Sequence, residues 1–373
     1  MMKATLNKND ILPVLAKIQG LAGRKTNLAI TTNVLIQTTE SGISITATDL
    51  ETGFEGLYPA DVDTQGVIAI NARKLYEIVR DFPSDDIYVN EVENHWIEIG
   101  NRNVEYHIVG LNPDDFPEVP KIEGVDFFEI DSAAFHKMIE KTVIISGASD
   151  DSRAHIIGIY AERVESDDHK IFRMVSTDGS RLSKVDFLFE KDFDLPPGDN
   201  VLIPKKGLVE VAKFLDSEGP VKIGIKANNF IVKKETETLI IRLLEGDFPQ
   251  YSDIIIKNEG HDIILDRQLF LMMLKRMSIL SSDEYKGVIF HFTEDKLVIN
   301  STNPDIGESK EDMDLAYKGE PVEVMYNPRF FIDTLGVLDE DSIVLNIVDN
   351  QKPCKLEGEK DKSYLSVIMP MRI

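Results

Sequence analysis

The chain has 373 residues, of which 42% are hydrophobic, with a single cysteine and a formal net charge of −24. This length corresponds to two or three folded domains, and the apolar content excludes a disordered tail. One cysteine excludes an internal disulfide framework, and the negative mean charge excludes loose attraction to nucleic acid or anionic lipid unless the charge is sorted in space.

The first recurring element is an amphipathic helix with apolar residues three and four positions apart. The spacing predicts such helices at residues 6–20, 133–145 and 267–280. Asp131 and Asp266 stand ahead of the second and third helices as candidate N-caps. The element therefore occurs once in each third of the chain.

The second recurring element is a pair of alternating strands that ends in a polar turn. The turn residues occupy the same place in each copy: Thr48-Asp49, Thr177-Asp178 and Thr302-Asn303. A short polar pair between alternating apolar runs is typical of a hairpin. The pairs are separated by about 125 to 129 residues, as expected for a repeated unit.

The third recurring element is a helix with a basic residue at its front. It is predicted at residues 73–81, 205–216 and 328–338. Arg73, Lys206 and Arg329 align at the front, which brings three acidic residues, Glu77, Glu210 and Asp333, into register behind them.

The copies lie about 123 to 134 residues apart, far beyond solenoid repeats, so each copy is predicted to be a domain. We place the domains at residues 1–121, 122–253 and 254–373. Helices separated by short strands with Asn, Asp and Gly turns indicate an α+β fold with antiparallel sheet and helices on one side. Chance likeness among amphipathic helices is the alternative. It is disfavoured because a fourth element, "LNPDDFPEVP" at 111–120 echoed by "LEGDFPQYS" at 244–252, recurs in the same order as the other three.

The charge is segregated by element type. The six predicted helices hold 14 Lys and Arg against 7 Asp and Glu, whereas the rest of the chain holds 27 against 58. Helices that line one surface would make that surface positive while the strands and loops carry the acid. Such a surface suits phosphate backbone rather than base sequence, although ordinary solvated helix faces remain the alternative. No helix-turn-helix, zinc-finger or RNP-like motif is visible.

No pattern for catalysis is present. The seven histidines are scattered without a metal-ligand partner, and no GxxxxGK[ST] or GxSxG motif occurs. The one run like a calcium loop, from Asp61, has Gln65 where an acid or Asn is expected and Ala72 at the bidentate position. We therefore expect no cofactor and no metal, and a binding protein rather than an enzyme. A catalytic pair assembled from distant residues in a cleft between repeats stays the weaker alternative.

Several short motifs carry a family resemblance. The specific ones are "STDGSRL" at residues 176–182 and "VIMPMRI" at 367–373, and further matches are "GR" at 23–24, "TATDLE" at 46–51, "ARK" at 72–74 and "LLEGDFPQY" at 243–251. Together with the three repeats, they make the whole chain resemble the bacterial DNA polymerase III beta subunit, the sliding clamp. The resemblance implies three sliding-clamp domains, with helices lining a ring and antiparallel sheets outside.

The resemblance also implies a function and a set of partners. The chain would be a non-catalytic processivity factor, a homodimeric ring that encircles duplex DNA independently of sequence. Its implied partners are the DNA polymerase III alpha subunit, an ATP-driven clamp loader, and other polymerases and repair proteins with a clamp-binding peptide. An acidic peptide-binding scaffold that does not encircle DNA is the alternative. No signal peptide or membrane span is visible, so we expect no membrane partner and a cytoplasmic location.

Site residues are carried over by motif. The resemblance implies a peptide cleft formed by Arg153, Ile156, Thr177, Gly179, Arg181, Leu182, Pro249, Ile254, Val367, Ile368, Met369, Pro370, Met371 and Arg372. Adaptable Met side chains and aliphatics suit varied peptides, although a plain edge strand is the alternative for the last segment. The family positions for the ring interface are Tyr106, Ile108, Ile279 and Leu280.

DNA contacts are predicted from the family resemblance and from charge. The resemblance implies Arg24 and Arg73, and charge adds Lys74, Lys137, Lys141, Lys205 and Lys206. Two positions depart from the family pattern. The loop with Asp150 and Ala154 leaves only His155 able to stack on single-stranded template, and Ser180 replaces a frequent His before Arg181, which is expected to alter peptide preference.

Overall fold

Each sequence repeat begins with a strand that leads directly into a helix, and each contains a second such pair further on. The computed structural model describes residues 1–22, 28–121, 123–145, 153–166, 168–191, 193, 200–255, 259–281 and 286–372. The first repeat contains β1 (Lys3–Asn7), α1 (Lys8–Ala22), β2 (Asn33–Thr39), β3 (Gly42–Thr48), β4 (Thr52–Tyr58), β5 (Ala60–Thr64), β6 (Val67–Asn71), α2 (Ala72–Asp81), β7 (Asp86–Glu91), β8 (Trp96–Gly100) and β9 (Glu105–Val109).

The later repeats follow the same order. The second contains β10 (Phe127–Asp131), α3 (Ser132–Val143), α4 (Ala154–Ile157), β11 (Gly158–Glu165), β12 (His169–Thr177), β13 (Arg181–Glu190), β14 (Val201–Pro204), α5 (Lys205–Phe214), β15 (Pro220–Lys226), β16 (Asn229–Lys234) and β17 (Glu237–Arg242). The third contains β18 (His261–Asp266), α6 (Arg267–Met277), β19 (Val288–Phe292), β20 (Lys296–Asn303), β21 (Gly307–Asp314), β22 (Val322–Tyr326), α7 (Pro328–Gly336), β23 (Ser342–Ile347), β24 (Cys354–Gly358) and β25 (Tyr364–Ile368). Short 3-10 turns lie at Ala29–Thr32, Glu93–His95, Pro113–Asp115, Tyr251–Asp253 and Ser278–Leu280.

The chain divides into two compact units, each described here by itself. Unit one comprises Met1–Ala133 and Lys206–Leu243, and unit two comprises Ala134–Lys205 and Leu244–Ile373. Unit one holds a sheet in the order β5-β1-β7-β8-β9 and another in the order β10-β15-β16-β17-β4-β3-β2-β6. Unit two holds β14-β11-β12-β13-β25-β24-β23-β18 and β21-β20-β19-β22. The units cut across the middle repeat, so the boundaries after residues 121 and 253 stay predictions.

Strand pairing joins neighbouring repeats inside each unit. In unit one β4 pairs antiparallel with β17, which places Phe54 opposite Leu239. In unit two β13 pairs antiparallel with β25, which places Leu182 opposite Val367. The two eight-stranded sheets are therefore each built from two repeats. Antiparallel sheets with separate helices confirm the predicted α+β class.

The predicted hairpins form, and two of their turns share the same hydrogen bonds. The hairpins are β3–β4, β12–β13 and β20–β21. Thr48 and Thr177 each donate from Oγ1 to the carbonyl four residues ahead, at 3.0 and 2.8 Å. Asp49 and Asp178 each accept two backbone N–H groups through Oδ1. The sequence repeat is thus a repeat of turn chemistry.

The helices bury apolar stripes at helical spacing. α1 packs against α2 and buries Ile11, Val14 and Ile18, which lie three and four positions apart. α6 packs against α7, where the Phe270 ring centroid lies 6.0 Å from that of Phe331. Aromatic pairs of this geometry contribute about 0.5–1.5 kcal/mol each beyond area burial.

The helix bounds differ slightly from those predicted. The helix expected from residue 6 begins at Lys8, because Lys3–Asn7 forms β1 and Leu6 lies opposite Ile87 on β7. The expected ends at 145, 216, 280 and 338 come two or three residues earlier. The Asp266 cap is confirmed, since its carboxylate accepts the backbone N–H of Leu269 at 2.8 Å.

Candidate peptide cleft and basic helix faces

A mainly apolar cleft of about 300 Å³ opens in unit two. Its lining consists of Thr177, Gly179, Arg181, Leu182, Asp253, Ile254, Pro353, Val367 and Met369. Seven of these were predicted as peptide-binding residues, and the structure brings them to one cavity from three separate stretches of chain. Asp253 and Pro353 were not predicted.

The inner wall of the cleft is a pair of central strands. Leu182 on β13 and Val367 on β25 are almost fully buried and lie opposite each other. β25 lies between β13 and β24, so the last segment is an interior strand and not the edge strand considered as its alternative. The backbone N–H groups of Met369 and Met371 bond the carbonyls of Ser180 (2.9 Å) and Met325 (2.8 Å), which fixes the segment that follows.

The turn at the mouth of the cleft requires a glycine. Gly179 has φ +88°, a left-handed conformation that side chains with a Cβ rarely adopt. An added Cβ would meet nothing within 4 Å, so the requirement is one of backbone conformation and not of space. The backbone N–H of Gly179 donates to Thr177 Oγ1 at 3.1 Å, which fixes the turn.

The Arg181 side chain is buried and its guanidinium is fully engaged. Nε donates to Asp178 at 2.9 Å, and Nη1 donates to Asp333 of α7 at 2.7 Å. Nη2 reaches the carbonyl of Ile144 at 3.3 Å, and the group lies 4.4 Å from the Phe330 ring centroid. Arg181 therefore ties the cleft wall to α7 and presents little free charge to a ligand.

Another part of the cleft wall is the segment that carries Asp253 and Ile254. The Tyr251 hydroxyl bonds Glu162 and accepts from Arg173 Nη1 at 3.1 Å. The Phe248 ring stacks on Tyr160 with centroids 4.8 Å apart. The wall is therefore positioned before any ligand arrives. Asp253 immediately precedes a predicted residue, and that adjacency is the only sequence signal for it.

The other predicted peptide-binding residues lie outside the cleft lining. Ile156 and Ile368 are buried in the core. The remaining ones are Arg153 before α4, exposed Pro249, and the terminal Pro370, Met371 and Arg372. Their role in peptide binding stays a prediction.

Unit one exposes basic side chains at the front of α2 and α5. Arg73 and Lys74 have side chains 77% and 63% exposed, and both pair with Glu77, at 3.1 and 2.8 Å. The hydrogen bond from Lys74 holds the pKa of Glu77 below its ordinary value. Lys206 is exposed and makes no hydrogen bond or ion pair within the described part of the chain. These cations are accessible to an anionic partner.

The three lysines of unit two that were predicted to contact DNA have intramolecular partners. Lys137 is exposed and pairs with Asp339 at 2.6 Å, which raises the pKa of Lys137. Lys141 is buried, with Nζ 3.6 Å from Asp361 and 5.4 Å from the Tyr364 ring centroid.

Lys205 is partly buried among backbone carbonyls. Its Nζ donates to the carbonyls of Ile145 and Ile156, the latter at 2.8 Å. Burial lowers the pKa of Lys205 to about 8. Lys141 and Lys205 thus serve the fold in this structure, and their contact with DNA stays a prediction.

Two predicted positions lie outside the described residues, namely Arg24 and Asp150. His155 is partly buried within the short helix α4. Its contact with single-stranded DNA is untested by the structure.

The predicted interface residues occupy exposed ends of their sheets and helices. Tyr106 (41% exposed) and Ile108 lie on β9, the edge strand of its sheet. Ile279 (74% exposed) and Leu280 lie in the 3-10 turn after α6. An exposed apolar edge strand is a template for pairing with another chain.

Neither a metal cluster nor a membrane helix is found where the structure describes the chain. No group of three His, Cys, Asp or Glu side chains there is close enough to hold a metal. No helix within the described ranges is long and apolar enough to cross a bilayer.

Three domain families match consecutive stretches of the chain. DNA polymerase III beta subunit, N-terminal domain, matches residues 2–120. The central domain of the same subunit matches 129–250, and its C-terminal domain matches 253–372. The matches follow the order of the three sequence repeats.

Proteins named beta sliding clamp are similar over the full length. One from Chlamydia pneumoniae is 26% identical over 372 residues, covering 100% of this chain and 99% of that protein. One from Vibrio cholerae is 27% identical over 379 residues, covering 100% of both. The solved sliding clamp of Bartonella birtlesii bound to griselimycin is 26% identical, with a TM-score of 0.92 and 100% coverage of both chains.

Proposed function

The chain belongs to the family of bacterial DNA polymerase III beta subunits, the beta sliding clamps, and we propose that two copies close into a ring around duplex DNA. It is a DNA sliding clamp: a processivity factor and a non-catalytic subunit of DNA polymerase III. The observation that carries this function is the match of the family's three domains, in order, over residues 2–372.

A closed ring holds DNA by topology and not by affinity. Duplex threaded through a ring leaves only at an end, so weak contacts are sufficient. Contacts to phosphate are independent of sequence and permit sliding. A polymerase bound to the ring meets the primer end at raised effective concentration, and processivity increases without chemistry by the ring.

We infer that the exposed basic residues make the DNA contacts. Arg73, Lys74, Lys137 and Lys206 have accessible side chains on helices. Three of them are held by acidic neighbours, which keeps each contact weak until phosphate displaces the carboxylate. Arg24 is retained in this set from the family motif.

We infer that the cleft of unit two takes the clamp-binding peptide of each partner. The buried aliphatic wall offers an apolar anchor site, and Met369 at the rim adapts to different side chains. Partners proposed for this cleft are the polymerase III alpha subunit, the clamp loader, and other polymerases and repair proteins. All of them act on DNA in the cytoplasm.

We infer that the dimer forms by first-repeat to third-repeat contacts. Tyr106 and Ile108 of one copy would pack against Ile279 and Leu280 of the other. A head-to-tail contact that closes after two subunits gives a ring and not a filament. Opening one such interface is the step for which an ATP-driven loader is needed.

Retention on DNA of different topology tests this function. The protein is loaded on nicked circular plasmid, the plasmid is linearised in half of the sample, and both halves are washed in high salt. Retention on the circle and loss from the linear form is expected. Equal retention would contradict topological holding and would favour the alternative, an acidic peptide-binding scaffold that does not encircle DNA, which the comparisons do not favour.

A further inference from the structure

We propose that Asp253 makes the cleft selective for peptides that carry a cationic residue beside their apolar anchor. The proposal rests on the proposed function of the cleft as a peptide site. It concerns the chemistry of the occupant: a short apolar segment with a Lys or Arg close to it.

Of the described residues that line the cleft, two are charged. They are Arg181 and Asp253, and the other lining side chains are apolar or neutral. The net field inside the cleft therefore depends on how far each of these two charges is already neutralised. The two differ strongly in this respect.

The charge of Arg181 is balanced within the wall. Asp178 and Asp333 accept its donors at 2.9 and 2.7 Å, and its side chain is only 6% exposed. Two carboxylates around one guanidinium leave an excess negative charge, and the Lys205 ammonium interacts electrostatically with both Asp178 and Arg181. This cluster of two anions and two cations is neutral as a whole.

Within the described part of the chain, no residue balances the charge of Asp253. Its side chain is exposed, and it forms no hydrogen bond or ion pair with the residues described in the structure. The backbone that carries it is nevertheless anchored, because Tyr251 and Phe248 hold the segment and the N–H of Ile254 bonds the carbonyl of Tyr251 at 3.0 Å. A carboxylate on this anchored segment, beside an apolar lining, complements a cation.

The basic residue of the terminal segment lies off the lining. Arg372 is exposed and follows Met371, whose backbone is bonded to Met325. Arg372 is not among the residues that line the cavity with Asp253. A peptide cation placed at Asp253 therefore meets a negative charge that no described lining residue compensates.

Peptide binding to the full-length protein tests the proposal. Each fluorescein-labelled octapeptide contains one Leu-Phe pair and one Lys, Gln or Glu. This residue is placed in turn at each of the four positions around the pair. Fluorescence polarisation at low ionic strength gives each dissociation constant. At the position nearest Asp253 we expect Lys to bind about twofold to fivefold more tightly than Gln, and Glu more weakly than Gln, as for a partly exposed ion pair. The spread should shrink in high salt.

Substitutions connect the preference to one residue. Asp253→Asn should remove the spread, and Asp253→Lys should reverse it. Glu245→Gln, which removes one exposed charge of unit two outside the lining, should leave the spread unchanged. Equal affinities for the three peptides in the native protein, or a spread that survives in Asp253→Asn, would overturn the proposal.

A cleft variant separates this proposal from the proposed function. Leu182→Asp places a charge on the apolar wall and should abolish binding of every peptide. If Leu182→Asp abolishes binding but the native protein shows no charge preference, the role of Asp253 alone is overturned. If Leu182→Asp still binds the peptides, or if the native protein binds none of them, the cleft and the charge selection are overturned together.

Discussion

Replacing Arg181 by Ala should destabilise unit two by about 3 kcal/mol. Removing one partner from a buried ion pair costs about 3–5 kcal/mol, because a carboxylate is left buried and unpaired. Two features place the expected loss for Arg181→Ala at the lower end of this range. Asp178 keeps two backbone N–H bonds to Oδ1, at 3.0 and 3.1 Å, and Asp333 is 40% exposed and regains water.

Urea unfolding followed by circular dichroism measures this loss. Arg276→Ala is the matched control, since its pair with Glu311 leaves the Arg276 side chain 50% exposed and solvent screening should make its contribution small. Arg181→Lys should recover only part of the loss, because one ammonium cannot reach both carboxylates and the Ile144 carbonyl in the same geometry. An Arg181→Ala loss no larger than that of Arg276→Ala would refute the reasoning.

Four further outcomes are expected. Burial lowers the pKa of Lys205 to about 8, so between about pH 8 and 10.5 the unfolded chain holds a proton that the folded chain has released. The free energy of unfolding should therefore rise with pH through this window, relative to that of Lys205→Met. A difference between the two proteins in urea unfolding that does not change with pH would contradict this expectation. Glu77→Gln should raise the salt-sensitive affinity for linear duplex DNA by freeing two cations, whereas Lys206→Glu should lower this affinity and reduce the salt slope by about 1 per lost contact. Unchanged affinity in salt titrations would remove these residues from the DNA face. Deleting residues 369–373 should abolish peptide binding in fluorescence polarisation with the dimer intact, and unaltered affinity would exclude that segment from the cleft. Ile279→Asp should give monomers in sedimentation, and a persistent dimer would exclude this residue from the interface.

Much of the fold was predictable because local chemistry repeats. Helical spacing of apolar residues located the six main helices to within three residues, since each helix buries one stripe. The Thr-Asp pairs predicted the hairpin turns, because their side chains bond backbone groups only a few residues away. Such signals lie within one segment of sequence and are therefore readable from it.

Which individual cations are accessible was not predictable in the same way. Lys205 and Lys206 are neighbours, yet Lys205 donates to the carbonyls of Ile145 and Ile156, and Lys206 is exposed. Those carbonyls lie 60 and 49 residues away in sequence. Net charge by helix indicates a basic face, but tertiary contacts decide which cations are available.

The cleft shows the same limit. Motif resemblance named Arg181 but gave no sign of Asp333, which is 152 residues away and neutralises it. Pro353 precedes β24 in a stretch with no motif, and reaches the cleft only because β24 pairs with β25. Residues brought together by strand pairing across repeats carry no local signal.

Cross-linking from single cysteines tests most directly whether the basic helices face DNA. The native Cys354 is 1% exposed, and burial raises the pKa of its thiol to about 12, so it should not react. Lys74→Cys and Lys206→Cys, on helices, are compared with Lys233→Cys, which replaces an exposed lysine on β16. Each variant is loaded on nicked plasmid whose DNA backbone carries bromoacetamide groups. The account predicts cross-links from both helix positions and none from the strand position. Cross-linking from Lys233→Cys alone, or equally from all three positions, would contradict it.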